Sequence, residues 1–459
     1  MFHLTEYLKQ FGRFQRNARL YLINTALGGV SLGIILVLYN LYLQSLGYGT
    51  DFIGLILFVG AIGAGLAIFP AGVCVDRFGG KVILIWTSVL LGIAGIGQIL
   101  LPTPIPLLVS TFVAGVGGAF ILVVNAPFLT AHSTPAERSE LFSLNIVLTL
   151  VTTVLGEIVG GALPLWLRSV PWLMTSLPSW CAWVLVHNSE PRSYQLALLF
   201  AGMIAMPSFI PLLLLQDDRP GSSQTGLVRS VSRLRSPVTH IMGLAVTAWR
   251  QRFSIRPIFG SPLFTLVVVQ ALIGLGAGLF IPYFNIYFVK HLGASSALFG
   301  VIDGCANLLN ALLALLAPWL VLYIGKVKTI LLPRLLSLPI MLMIGLTNLL
   351  PLAAVLYPLR QGLMDMSQGI LQVFSMEVVS PQHRGLANSS YQAALQVASA
   401  CGAPIGGLII AHQGYAPVFV CAAILYSLAL ALFWLRFGRR DDHDPPPKLA
   451  TSFSQALSL

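Results

Sequence analysis

Four ionisable side chains lie well inside long apolar runs of this sequence: Glu157, Asp303, Arg360 and Asp365. In hydrocarbon each is costly, so each must face a cavity, pair with another group or carry function. Asp365 is the most informative. Gln361, Asp365, Gln368 and Gln372 recur at steps of four, three and four, which stacks them on one helix face. A polar stripe of that kind can hardly face lipid. Asp365 there offers protonation or solute binding; a hydrogen-bonded structural carboxylate is the competing reading. Arg360 offers an anchor for an anionic group or a counter-charge for Asp365. The five-residue step sets these two about 140° apart on an ideal helix, which argues against a direct pair. Glu157 and Asp303 fall toward corresponding ends of their runs, and two carboxyls brought together there could share or exchange a proton, since desolvation and repulsion oppose two adjacent charges.

The elements that must position these residues are membrane spans. Of 459 residues, 56% are hydrophobic and only 9% are charged, against roughly a quarter charged in soluble domains. The apolar runs are continuous and of helix length, which argues against an outer-membrane barrel. Windows bounded by charge and turn residues give twelve spans, at 20–44, 51–74, 82–101, 105–130, 141–164 and 194–215, then 262–289, 297–321, 329–349, 352–377, 386–411 and 416–436. The expected fold is an all-α membrane protein of twelve transmembrane helices in two six-helix bundles, 20–215 and 262–436. An interfacial segment 1–19 precedes them, a basic linker 216–261 joins them and a tail 437–459 follows. Tyr7, Leu8, Phe11 and Phe14 share one face of the first segment, and Trp166, Trp172, Trp180 and Trp183 mark an outer insertion at 165–193 suited to the headgroup level or to a packed cap.

Charge sets the orientation. With a cytoplasmic N-terminus, 22 of the 26 Lys and Arg fall in cytoplasmic segments, three fall outside (Arg168, Arg192 and Lys290) and Arg360 lies within a span. Both termini and the linker are therefore expected in the cytoplasm, and the first span is read as retained, not cleaved. The net charge of +11 is spread along the chain and not gathered on one soluble module, so nucleic acid is not an expected partner. Cys74, Cys181, Cys305, Cys401 and Cys421 are far apart and form no CxxC pair, so they read as free core residues, without metal or redox dithiol. There is no HExxH, GxSxG or GxxxxGK[ST], hence no sign of an enzyme or of built-in ATP hydrolysis.

The halves align at one offset of 246 residues. Gly54 matches Gly300, Gly79 matches Gly325, Pro135 and Arg138 match Pro381 and Arg384, and Gly156, Gly160 and Gly161 match Gly402, Gly406 and Gly407. Two similar bundles imply a site between them near the bilayer middle. Tyr39-Asn40-Leu41-Tyr42 in the first span parallels Phe284-Asn285-Ile286-Tyr287 in the seventh with a one-residue slip, making Asn40 and Asn285 candidate cavity residues, with an aromatic belt near the outer mouth as the competing reading. Asn24, Asn125, Gln270 and Tyr283 are further candidates.

The loop Gly72-Val-Cys-Val-Asp76-Arg77-Phe-Gly79-Gly80-Lys81, with this span count and repeat, resembles the major facilitator superfamily of secondary transporters, whose loop reads Gly-x-x-x-Asp-Arg-x-Gly-Arg-Lys. Gly80 stands where Arg is usual, and the second copy around Gly325 has Leu322 in place of the acid. The resemblance implies that Asp76 latches the bundles on the cytoplasmic side, with Arg77, Lys81 and Arg138 in the same network; a solvated basic turn is the plainer alternative. Gly156-Glu157-Ile-Val-Gly160-Gly161 is similar to the family's antiporter-associated Gly-Pro-x-x-Gly-Gly, with Glu157 in the proline position, while Gly402-Ala-Pro404-Ile-Gly406-Gly407 carries its proline one place late. Close helix packing is the simplest use of both segments. The implied function is proton-coupled, alternating-access transport of a small solute, with export of an amphipathic compound favoured. Proton-linked uptake of a polar or anionic solute, or a transport-inactive sensor or scaffold, are the alternatives. The expected setting is a monomer in the cytoplasmic membrane, with lipid, protons and a small-molecule substrate as partners. No cofactor or metal is expected; the proton gradient supplies the energy.

Overall fold

A computed structural model describes residues 14–134, 137–171, 185–216, 261–379 and 384–438, with side chains in the last stretch described from residue 390. Among the described residues there is no strand, and eleven helices are long and apolar enough to cross a membrane. The first six spans are Arg16–Ser45, Thr50–Phe78, Gly80–Leu100, Pro104–Ala131, Arg138–Arg168 and Ser189–Leu213. The next are Pro262–His291, Ser296–Ile324 and Lys326–Leu346, and the last two are Arg384–Gln413 and Tyr415–Phe437. Between them lies a tenth span in two pieces, Leu350–Asp365 and Gln368–Val378. Outward faces are apolar and exposed, as at Phe69, Ile105, Leu315 and Leu435, which suits a hydrocarbon solvent.

Local chemistry explains where the helices begin and end. Ser261 and Ser295 cap the seventh and eighth spans, their hydroxyls accepting from the backbone N–H of Phe264 and Leu298 at 3.1 Å. The second and eighth spans stop at Gly79 and Gly325, both at φ 82°, a left-handed conformation that favours glycine and turns the chain directly into the next helix. This shared geometry is the structural form of the 246-residue repeat.

Three readings need correction. The tenth span is not one helix: Met366 and Ser367 interrupt it, so the Gln361–Asp365–Gln368–Gln372 stripe crosses a break directly after Asp365. Arg334, counted with the cytoplasmic basic residues, lies eight residues into the ninth helix, about 12 Å along it, and is 1% exposed. Cys305 and Cys401 are exposed on helix faces instead of filling the core. Tyr7, Leu8, Phe11, Pro135, Trp172, Trp180, Cys181, Trp183, Pro381 and most of the linker and tail lie outside the described residues.

Without a hydrophobic drive between helices in lipid, packing relies on small residues. A Cβ on Gly156 would stand 2.2 Å from the Val30 carbonyl oxygen, and one on Gly160 would stand 2.8 Å from the Ile34 Cα, so the fifth span seats against the first. Gly402 and Gly406 hold the same relation to Leu275 and Leu279, seating the eleventh against the seventh.

Candidate functional site

The two halves meet along two related seams, the fifth span on the eighth and the second on the eleventh. Gly161 and Gly407 occupy equivalent places in them. A Cβ at Gly161 would stand 2.4 Å from the Ser296 carbonyl oxygen, and one at Gly407 would stand 2.2 Å from that of Thr50. The Ser296 hydroxyl donates to the Gly161 carbonyl at 2.8 Å, and the Thr50 hydroxyl donates to the Gly407 carbonyl at 2.9 Å. Asn40 donates to the Pro282 carbonyl at 2.7 Å, and Asn285 donates to the Val37 carbonyl at 3.1 Å, so the first and seventh spans also bond reciprocally. These two asparagines, expected on a cavity wall, have their amides committed to closing one half on the other. All these contacts lie toward the span ends remote from the chain termini.

A pair of carboxyls enters only one seam. Glu157, 1% exposed, accepts from the Asn307 amide at both carboxylate oxygens, at 2.9 and 3.0 Å. Gln361 donates to the Asn307 carbonyl oxygen at 3.4 Å, and Tyr357 donates to Asp303 at 2.7 Å. Gly300 and Asn307, one turn before and one turn after Asp303 on the eighth span, both meet Glu157, which places Asp303 on the seam beside it. Adding or subtracting 246 converts Glu157, Asp303 and Asn307 into Ala403, Leu57 and Ala61 at the other seam, where the Tyr283 hydroxyl donates to the Ala403 carbonyl but no carboxyl replaces Glu157 or Asp303. Asn307 and Tyr357 were not foreseen. Their signal was present: Asn307 follows Asp303 by one turn, and Tyr357 extends the glutamine stripe by one turn upward.

The other expected residues distribute as follows. Asp365 is partly exposed at the break, and Gln368 and Gln372 beyond it are exposed. Arg360 is 2% exposed, bonded to the Tyr426 hydroxyl at 3.3 Å and stacked over Phe280 at 4.8 Å, not paired with Asp365. In the loop after the second span, Asp76 and Arg77 are exposed, with Arg77 over the Phe78 ring. Lys81 donates to the Leu215 carbonyl at 2.6 Å, and Arg138 donates to the Ser133 hydroxyl and Thr130 carbonyl at 3.4 Å. A Cβ at Gly72 would meet nothing within 4 Å, so no helix approaches closely there in this conformation. Pro404 sits inside the eleventh helix beside Gly54. Among the described residues no group of His, Cys, Asp and Glu is placed to hold a metal.

At the remote end Lys290 donates to Glu190 at 2.7 Å, with Arg168 at 3.9 Å, joining the end of the seventh span to the start of the sixth. All three are about a third or more exposed, so the pair is worth at most about 1 kcal/mol to closure. Glu190→Gln should raise the accessibility of this end to a membrane-impermeant thiol probe on a nearby introduced cysteine. Because exposed pairs are screened, high salt should produce the same rise in the unsubstituted protein.

Twelve spans in two related halves, meeting at glycine-lined seams, define a polytopic membrane transporter and not an enzyme. The sequence matches the Major Facilitator Superfamily over residues 21–359 and again over 266–458, and the chain belongs to that superfamily. Among curated proteins none matches the sequence. A bacterial homologue of the human lysosomal transporter Spinster, in an inward-facing and unoccupied conformation, is similar in fold, with a TM-score of 0.68 and 14% identity over 91% of this chain and 96% of that one. A D-xylose-proton symporter is similar with a TM-score of 0.64 and 15% identity, over 90% and 97% of the two chains. A bacterial homologue of the iron transporter ferroportin in an inward-facing state has a TM-score of 0.65 and 16% identity, over 91% and 98%.

Proposed function

We propose that the protein exports a small amphipathic solute across the cytoplasmic membrane by alternating access, driven by protons. The observation that carries this reading is the pair Glu157 and Asp303, set in the closed seam with only neutral donors, Asn307 and Tyr357, bonded to them. A bare carboxylate in a water-poor interface costs several kcal/mol. Closing this seam is therefore linked to proton uptake, and proton loss favours reopening. The charge bias supports cytoplasmic termini, and in that orientation the present conformation is closed to the outside. Cargo would then load from the cytoplasm as the seam releases its proton, through Gln361 and the stripe below it. The exposed Asp76 loop would engage its partners in the opposite, outward-open state. The amphipathic cargo and its export are read from the small number of polar groups along the inner faces and their mixing with Phe and Met.

Sealed proteoliposomes holding a pH-sensitive dye test this directly. A panel of cationic, neutral and anionic amphipathic solutes should include at least one that triggers proton movement across the membrane. Solute flux without proton movement would remove the coupling. No flux for any solute, from folded protein, would favour a sensor or scaffold.

A further inference from the structure

Arg334 and Arg360 place two guanidinium groups in an apolar core, and a guanidinium keeps its charge in any protein environment. Neither the Nε nor the Nη2 of Arg334 has a partner, and the Nε of Arg360 has none. The one carboxylate among them is Asp365, within electrostatic reach of both but without an ion-pair contact to either. The cluster thus carries one positive charge in excess and three unmet donors. Buried charge in that state is expensive, and an anion bound to these donors would offset it.

The surroundings indicate what kind. Phe280 lies under the Arg360 guanidinium and packs against Phe284, Phe419 and Tyr426, so forked N–H donors stand beside a continuous aromatic surface. That combination matches a planar carboxylate on an aryl body. Asp365 is partly exposed at the break in the tenth span, and exposed Gln368 and Gln372 lead from it toward the end of the span nearer the termini. We propose that Arg334 and Arg360 bind the carboxylate of an amphipathic organic anion, and that the nearby charge of Asp365 opposes this binding. The inference rests on the transport reading and names its cargo class.

The test uses purified full-length protein and three probes sharing one body: 4-phenylbutyrate, 4-phenylbutyramide and 4-phenylbutylamine, followed by titration calorimetry. Phenylbutyrate should bind about tenfold more tightly than the amide, with the amine weakest. Arg360→Gln should erase that preference. Asp365→Asn should tighten phenylbutyrate binding by about tenfold, because the like charge beside the ligand carboxylate is gone. A purely structural Asp365 would leave binding unchanged or weaken it. Should Arg360→Gln fail to fold, Arg360→Lys and Asp365→Asn carry the test, since Lys keeps the charge but loses the fork. Absent phenylbutyrate binding, equal binding of the three probes, or no gain in Asp365→Asn overturns the proposal. Proton movement driven by a cationic solute in proteoliposomes, alongside any of those results, would retire the anion site while keeping transport. Phenylbutyrate binding without any flux would do the reverse.

Discussion

Glu157→Gln should uncouple solute movement from proton movement while leaving the protein folded. Gln has the shape of Glu and keeps an oxygen for the Asn307 amide, which now donates to both carboxylate oxygens. What it loses is the exchangeable proton. The seam can then close without proton uptake and gains no drive to open on proton loss. Solute-triggered proton flux should fall by about 5- to 150-fold, the span of an ordinary coupling free energy of 1–3 kcal/mol. Downhill solute exchange at equal pH should persist, because it needs only the two conformations. Asp303→Asn should act in the same direction, since Asp303 neighbours Glu157 and holds only the Tyr357 hydroxyl. Wild-type coupling in Glu157→Gln would move the proton site elsewhere, with Asp365 next in line.

The two seams sharpen that expectation. Backbone geometry, glycine placement and the Ser296 and Thr50 hydroxyl bonds repeat almost perfectly between them. The carboxyl pair does not, because Glu157, Asp303 and Asn307 face Ala403, Leu57 and Ala61 in the repeat. At these three positions the second–eleventh seam has no carboxyl to protonate and serves as a neutral bearing, held by the Thr50 and Tyr283 hydroxyls, while the fifth–eighth seam responds to its charge. Transplanting the polar group by Ala403→Glu should therefore destabilise closure, since Asn307 has only Ala61 as its counterpart there.

Much of this was legible in the residues, because hydrocarbon imposes a severe rule on helical chains. Long apolar runs, and glycines at one repeating offset, pointed to the spans and to the surfaces on which they pack. The pairing of Glu157 with Asp303 was also within reach, since Glu157 sits in a small-residue segment that had to meet another helix. Arg334 was not. It lies eight residues beyond Lys326 in a helix that starts at a basic turn, so it read as part of the cytoplasmic charge. The break at Met366 and Ser367 gave no warning either: neither residue is Gly or Pro, and the apolar pattern continues through it. Asn40 and Asn285 were recognised as a matched pair, but only three-dimensional packing shows that each spends its amide on the opposite half's backbone.

Gly161→Ala should shift the protein away from the conformation described here, whereas Gly156→Ala, five residues earlier, should mainly cost stability. The Cβ in both cases would fall close to a backbone oxygen, 2.4 Å from Ser296 and 2.2 Å from Val30, and backbone cannot swing aside as a side chain can. Overpacking of this kind costs about 1–3 kcal/mol. The difference lies in when the contact exists. Gly156 touches the first span inside one half, so its penalty is paid in every conformation and lowers the melting temperature. Gly161 touches the eighth span across the seam, so its penalty applies only while that end is closed. The closed population should drop by about 5- to 150-fold relative to the open one. Spin labels on the ends of the fifth and eighth spans remote from the chain termini would read this as a longer distance in Gly161→Ala with little change in melting temperature. Gly407→Ala should behave alike at the second–eleventh seam, since its Cβ would meet Thr50 across the halves. If Gly161→Ala instead melts early and keeps its label distances, the fifth and eighth spans move as one body. The seam between them would then not open during transport, and the proton-linked gate assigned to Glu157 and Asp303 would lose its mechanical basis.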